Sequence, residues 1–413
     1  MNSINKMYKN NTSFSAVDKF IFLLPLLVIF LLIFNVPDTK HLVSRTVAFT
    51  CIYSLIRYSK VIASEIKQKL KLCWSLMIVY GYFMLMHLIN DGNSDLPRAF
   101  LIFLAYFWFV PFGAFSNRSL LFLTTVSGIA VGISAIYQVA ILNINRAGFW
   151  AINPIPFAYY AGLCFLFISF FLGCYLKRKW FSVLCVAAGG MSFVAVILSQ
   201  TRASILALVI VFAGYIAYSV FRSPSVKKIV SSLAILMLMP ILLMQIPLVE
   251  NRVNDVWQQI HKYSNNDYRS SSGIRIKLWH SGFDIASGGL ILGTERDKVV
   301  QQSVAKIKSG EYPQYLGGFL DSENANFHNQ YIQVLVDSGL IGLALLLFVL
   351  TLPLWIVYRS DKHRLKVFVC MLVGYTMICM NFDSLFLYNH TLLLYLGMIG
   401  MVFTLTNTSK QEN

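Results

Sequence analysis

Apolar positions in this chain come in long unbroken runs separated by short polar segments, with no strand-like alternation. A helix needs roughly 20 apolar residues to cross a hydrocarbon core about 30 Å thick, and the chain offers twelve such runs. They lie at about 19–36, 42–58, 72–90, 99–115, 120–142, 154–176, 180–198, 203–221, 229–247, 330–357, 367–383 and 391–407. Because lipid leaves backbone polar groups no water to bond, runs of this kind predict helices. The expected fold is all-α: a polytopic membrane protein of about 12 transmembrane helices. The second run is the weakest, since Arg57 and Lys60 crowd its end.

One stretch, about 248–329, interrupts the pattern and divides the chain into 1–247, 248–329 and 330–413. It is too long for a connector and too rich in Trp, Tyr, Ile and Leu for disorder. A first helix is predicted over ENRVNDVWQQIHKY and is broken by NNDYRSSS. A second, capped near Ser271 or Ser272, runs through GIRIKLWHSGFDIAS with Ile274, Leu278 and Ile285 as an apolar stripe. Glycines at 288, 289 and 293 mark a turn before a charged helix near 295–308. Together these pieces predict a helical cap over the outer face of the bundle.

The sharpest step in polarity falls between Glu323 and Phe348. Asn326, His328, Asn329 and Gln330 all form hydrogen bonds, whereas every residue from Gly339 to Leu350 is apolar or glycine. The step reads as a membrane surface, with the polar segment predicted to run unbroken into the apolar helix. An imidazole at such a boundary takes up a proton near neutral pH.

Composition excludes an ordinary soluble domain: 57% of residues are hydrophobic, 13% are charged and the mean hydropathy is +0.64. The net charge of +16 is concentrated near the N-terminus and at 57–71, 177–179, 222–228 and 359–366. The opposite short loops and adjoining span ends hold only Lys40, Arg45, Arg98, Arg146 and Arg202. This positive-inside asymmetry predicts that both termini are cytoplasmic and the long loop is external. The first run follows a polar leader of 18 residues without a small-residue cleavage site, which predicts an uncleaved anchor. Topology and attraction to a phospholipid bilayer account for the charge, so no nucleic-acid partner is expected. The seven cysteines avoid the long loop and predict neither a disulfide framework nor a cysteine metal site.

Candidate chemistry gathers in the outward-facing segments. His328 and Asn329 open the tenth run. Arg146 precedes Phe149, Trp150, Asn153, Pro154 and Pro156, and fits either an interfacial anchor or a substrate contact. Gln200, Thr201 and Arg202 form a tight turn, where free backbone N–H groups and a guanidinium make an anion site. Arg275 shares a helix face with Trp279 four residues on, and either pairs with a loop acid or points down towards the membrane. Asp383 and His390 lie in the last outer loop as possible rim hydrogen-bonding groups. Asp321 and Glu323 offer a possible metal pair or orienting carboxylate, although a D-x-E pair in a solvated loop is usually only that.

There is no nucleophilic Ser or Cys motif and no nucleotide-binding glycine loop. A histidine and arginines at the outer surface therefore suggest transfer from a lipid diphosphate, whose leaving charge the guanidinium groups stabilise. A first outer loop with only Asp38 argues against a metal-dependent mechanism, so no metal or other cofactor is expected.

His328, Asn329, nine residues, Gly339, two residues and Gly342 resemble the H-N-x9-G-x-x-G signature of bacterial O-antigen ligases. SQTRAS around Arg202 and GIRIKLW around Arg275 are similar to that family's other marked arginine positions, and the layout of spans and loop is similar as well. The resemblance implies an inverting, metal-independent glycosyltransferase of the bacterial inner membrane with its site facing the periplasm. It implies transfer of O-antigen from undecaprenyl diphosphate to lipid A-core oligosaccharide. His328 would be the base or a residue essential to acceptor activation, and Arg202 and Arg275 would hold the donor diphosphate; Arg146, from its own loop, is a further candidate for that contact. Asn329, Gln200 and Trp279 would support them. The sequence departs from the family at Leu343 and Ala344, where threonines are common, and lacks a proline before the glycine near 293. An O-antigen polymerase using the same donor is the nearest alternative. A polysaccharide or lipid transporter is the alternative of another class, but the spans carry almost no charge and show no clear internal repeat.

Overall fold

The computed structural model describes residues 14–245, 247–265, 267–320 and 325–407, and all regular structure among them is helical. The first group of helices is α1 (Ala16–Leu27), α2 (His41–Asn90), α3 (Asp95–Phe109), α4 (Asn117–Ile136), α5 (Pro154–Tyr175) and α6 (Lys179–Leu198). They are followed by α7 (Arg202–Arg222), α8 (Val226–Met244), α9 (Pro247–Ser264), α10 (Ser271–Ser287) and α11 (Arg296–Lys308). After the short α12 (Gly317–Leu320) come α13 (Gln330–Tyr358), α14 (His363–Cys379) and α15 (Asn389–Asn407). Seven helices among the described residues are long and apolar enough to cross a membrane, fewer than the twelve expected.

The difference has local causes. The second and third expected spans both lie in α2, where two helices meet at a kink at Tyr58 and the 59–71 segment between the expected spans is itself helical rather than a loop. Helices α1, α3 and α14 have only 12, 15 and 17 residues. A five-residue π segment, Val28–Leu32, extends the first of these. In α2, Lys69 is buried yet remains paired with Glu65 at 3.1 Å. Glu65 in turn accepts N–H bonds from Phe112 and Gly113, both at 3.1 Å, so the charged middle of α2 holds the α3–α4 connection.

The main core lies between α1 to α7 and α13 to α15. Aromatic side chains set its tightest crossings: Tyr159 of α5 stacks on Tyr375 of α14 with centroids 5.8 Å apart, and Phe170 stacks on Phe368 at 4.4 Å. The cap has a second, smaller core around Leu278, Ile285, Val299, Leu316, Leu320 and Phe327, closed from below by Ile332 and Val336 of α13. The apolar stripe predicted for α10 is thus its buried face. The N-cap is Ser270, whose hydroxyl accepts the Gly273 N–H at 3.1 Å, rather than Ser271 or Ser272.

The polar segment does not run unbroken into the apolar helix, as the sequence pattern had predicted. Helix α13 is interrupted at Gly339, whose φ of 65° and ψ of −166° are glycine-only backbone. The 289–293 turn of the cap fits into the break. Thr294 N–H donates to Val336 O at 2.7 Å and Leu340 N–H to Leu290 O at 2.8 Å. From α2, Asn90 Nδ2 donates to Leu292 O at 2.8 Å and Asp337 O at 3.0 Å, while Tyr82 Oη donates to Ser338 O at 2.6 Å. Each buried carbonyl left unbonded would cost about 1–3 kcal/mol. These donors make the broken helix tolerable and fix the cap to the membrane helices.

Candidate functional site

The site is organised by the N-terminus of α13. Asn329 is its N-cap, with extended backbone and an Oδ1 that accepts N–H bonds from Tyr331 at 3.0 Å and Ile332 at 3.2 Å. Immediately before it, His328 has a φ of 49°, in the left-handed region that a histidine adopts only under local constraint. Asn326 supplies that constraint by accepting the His328 N–H at 2.8 Å. The turn carries the imidazole to the connection between α14 and α15, where Nδ1 lies 2.8 Å from Asp383 Oδ1.

Asp383 is almost completely buried, and its other oxygen, Oδ2, is buried without a partner. A carboxylate bonded to Nδ1 selects the tautomer of the ring and stabilises its charged form, leaving Nε2 to take the proton. Phe319 packs edge-on against the imidazole with centroids 5.6 Å apart. The histidine side chain is 21% exposed, so the pair is rigid on one side and accessible on the other.

Arg275 approaches from α10. Its Nη1 donates to Ser271 Oγ at 2.9 Å, while its Nε is buried without a partner. Burial lowers the guanidinium pKa from its ordinary value; the carboxylate of Asp383 opposes this, and the like charge of Arg202 adds to it. Arg275 is therefore within electrostatic reach of both Asp383 and Arg202. One turn along the same face, Trp279 Nε1 is also buried without a partner. Two unused N–H donors and a positive charge on one helix face are suited to an anion.

Arg202 is the first residue of α7, where the helix dipole reinforces its charge. Its Nη2 lies 2.9 Å from Asp255 Oδ2 on α9, and the two side chains are 31% and 42% exposed. Gln200, at a φ of 53°, donates from Nε2 to Asn145 O at 2.7 Å. Arg146 donates from Nε to Ser199 O at 3.1 Å and from Nη2 to Thr201 Oγ1 at 3.5 Å, with its guanidinium 5.8 Å above the Phe149 ring. These bonds from Arg146 and Gln200 tie the 143–153 loop to the turn that carries Arg202.

Of the residues expected from sequence, His328 is bonded to Asp383, Arg275 feels the charge of that carboxylate and of Arg202, Trp279 shares the α10 face with Arg275, and Asn329 caps the helix that follows the histidine. His390 does not join them: it is buried against Phe34 and Tyr388, both at 5.5 Å between centroids. Asp321 and Glu323 lie outside the described residues. Among the described residues no group of three His, Cys, Asp or Glu side chains is placed to hold a metal ion. Asp255 was not foreseen, and Asp383 was read only as a rim hydrogen-bonding group.

Residues 187–347 match the family model described as O-antigen ligase. An O-antigen ligase of Escherichia coli is 27% identical over 180 residues, 43% of this chain and 42% of that protein, so the match spans less than half the relative's length. An uncharacterized protein of Haemophilus influenzae is 24% identical over 325 residues, covering 74% of this chain and 77% of its own. Residues 187–347, the stretch that carries Arg202, Arg275 and His328, are thus similar to the O-antigen ligase family.

Proposed function

We propose that this chain is an O-antigen ligase that transfers a glycan from undecaprenyl diphosphate to a sugar hydroxyl of lipid A-core oligosaccharide, at the periplasmic face of the bacterial inner membrane. The observation that carries the proposal is the 2.8 Å hydrogen bond between His328 Nδ1 and the buried carboxylate of Asp383, together with the buried, unbonded N–H groups of Arg275 and Trp279 on one face of α10.

In this reading the donor diphosphate lies against Arg275 and Arg202, and Trp279 adds an N–H. His328 Nε2 removes the proton from the acceptor hydroxyl, whose oxygen attacks the donor anomeric carbon from the side opposite the diphosphate. The glycosidic bond forms as the carbon–oxygen bond to phosphate breaks, which inverts the configuration. The lipid diphosphate leaves with its charge balanced by the two arginines, and the imidazolium is stabilised by Asp383 until its proton is lost. Arg146 and Gln200 serve by shaping the Arg202 turn. None of these steps requires a metal or other cofactor.

The test is deletion of the gene in a host that makes O-antigen, followed by gel analysis of lipopolysaccharide and complementation with wild type or His328→Ala. A ligase null makes bare core and accumulates long lipid-linked glycan, and only wild type restores capped lipopolysaccharide. Core bearing a single repeat would instead identify a polymerase, and single repeats trapped at the inner leaflet a transporter.

A further inference from the structure

We propose that Gln333 is a positioning residue for the His328–Asp383 pair, because one carboxamide oxygen holds the chain neighbours of both. The inference rests on the reading above, in which that pair handles the acceptor proton. Gln333 is in the first turn of α13, with its side chain only 3% exposed and its backbone N–H bonded to Asn329 O at 2.9 Å. Its Oε1 accepts the N–H of Phe327, the residue before His328, at 3.2 Å, and the hydroxyl of Ser384, the residue after Asp383, at 3.4 Å. Its Nε2 donates to Asp337 Oδ2, one turn further along, at 3.0 Å. The imidazole and carboxylate come from segments more than fifty positions apart, and Gln333 bonds to each segment one residue from its functional group.

The coarse position of the Asp383 segment does not depend on this residue. Gln330 fastens it separately, accepting the Phe386 N–H through Oε1 at 2.6 Å and donating its own backbone N–H to Met380 O at 2.9 Å. Loss of Gln333 therefore leaves the loop attached but unregistered against the histidine. Small misplacements of a catalytic group cost large factors in rate, whereas the donor-binding arginines stand on other helices. The expected signature is a lower kcat with an unchanged KM for the donor.

The experiment uses the purified full chain with lipid diphosphate-linked glycan and lipid A-core acceptor. Gln333→Leu is measured alone and in an Asp383→Asn background. Gln333→Leu alone should lower kcat on the order of tenfold to a hundredfold, but change it by less than about twofold once the carboxylate is gone, since coupled residues are non-additive. Equal losses in the two backgrounds, or no loss in either, overturn the proposal.

If Gln333→Leu does not fold, a swap decides. Gln333→Glu keeps an acceptor for Phe327 and Ser384 but sets a carboxylate against Asp337. Adding Asp337→Asn restores a donor to that contact and returns the local charge. Recovery of kcat in the double variant supports the clamp; a double variant no better than Gln333→Glu overturns it. Full activity in His328→Ala would sink the underlying reading, whereas additive losses with His328→Ala inactive sink only the role of Gln333.

Discussion

Gly293 and Gly339 each press against the backbone just before the other, where the 289–293 turn enters the broken helix. A Cβ on Gly339 would lie 2.2 Å from the carbonyl carbon of Ile291, and one on Gly293 would lie 2.5 Å from the carbonyl carbon of Asp337. Both have positive φ, 65° and 86°. Neither backbone has room for a side chain, and the four donors around the break are useful only while the two turns touch. The spacing from His328 to Gly339 thus has a mechanical meaning. The glycine lets the segment below the histidine open and receive the element that carries Arg275.

Gly339→Ala should therefore destabilise the fold by at least about 2 kcal/mol, from backbone strain and a contact that only main-chain movement can relieve. The variant should show a lower apparent melting temperature in detergent and faster proteolysis between 288 and 300. Gly318→Ala is the control, since nothing lies within 4 Å of its added methyl. If the two variants melt together, the break is not a structural requirement.

Much of this arrangement was legible in the sequence, for identifiable reasons. Apolar runs locate helices because burial in lipid requires them, and α9, α10 and α11 followed from the stripe and the breakers between them. The kink was not legible, because Gly339 inside an apolar run has the same pattern whether the helix continues or opens. Its partners, Tyr82 and Asn90, are some 250 residues away, and no local period encodes them. The helical character of 59–71 in α2 was hidden for the opposite reason: Lys60, Glu65, Lys67 and Lys69 resemble a loop in composition, yet are good helix formers. Arg202, Arg275 and His328 were conspicuous as polar groups at apolar boundaries. Asp255 and Asp383 were not, since a single acid in a loop is ordinary until its partner is known.

Asp383→Asn keeps the shape of the side chain while removing the charge that stabilises an imidazolium, and it offers an amide N–H as well as an oxygen, so the ring tautomer is no longer fixed. Transfer should fall on the order of a hundredfold or more, with little change in KM for the lipid diphosphate donor and no loss of the folded protein. Single-turnover kinetics with excess enzyme separate this from slow product release. Wild-type rates in this variant would mean that the His328–Asp383 bond has no part in the chemistry.

The two arginines should differ in their tolerance of lysine. Arg202 is partly exposed and paired with Asp255, so Arg202→Lys retains a charge at the same turn and should keep a measurable fraction of activity. Arg275 has a buried Nε that a lysine lacks, and the compact, strongly hydrated ammonium of Arg275→Lys loses the forked donor geometry, so that variant should be close to inactive. Asp255→Asn removes a competitor for the Arg202 guanidinium and should lower the donor KM by up to about fivefold, the range of a partly exposed ion pair. This effect should fade with added salt. A raised KM in Asp255→Asn would mean that the acid orients Arg202 rather than competing with the substrate.

In the cap, Asp284 accepts bonds from Lys306 and Tyr312, and Lys306 also pairs with Glu311 at 2.9 Å. The Lys306 and Tyr312 bonds hold the Asp284 carboxyl below its ordinary pKa, and the carboxylates of Asp284 and Glu311 hold the Lys306 ammonium above its own. A lowered carboxyl pKa stabilises the fold above the unfolded value near 4, and this is lost as pH falls through the folded value. A raised ammonium pKa stabilises below the unfolded value near 10.4, and this is lost as pH rises through the folded value. The latch should therefore be constant between about pH 5 and 9 and weaken only outside that window. Because Asp284 is 42% exposed, solvent screens the contact, and Asp284→Asn should cost less than about 1 kcal/mol at pH 7. Hydrogen exchange of α10 and α11 at pH 7 and pH 3.5 provides the measurement. Wild type should lose protection at the lower pH, while Asp284→Asn should exchange almost alike at both; a variant as acid-sensitive as wild type would place the acid response elsewhere.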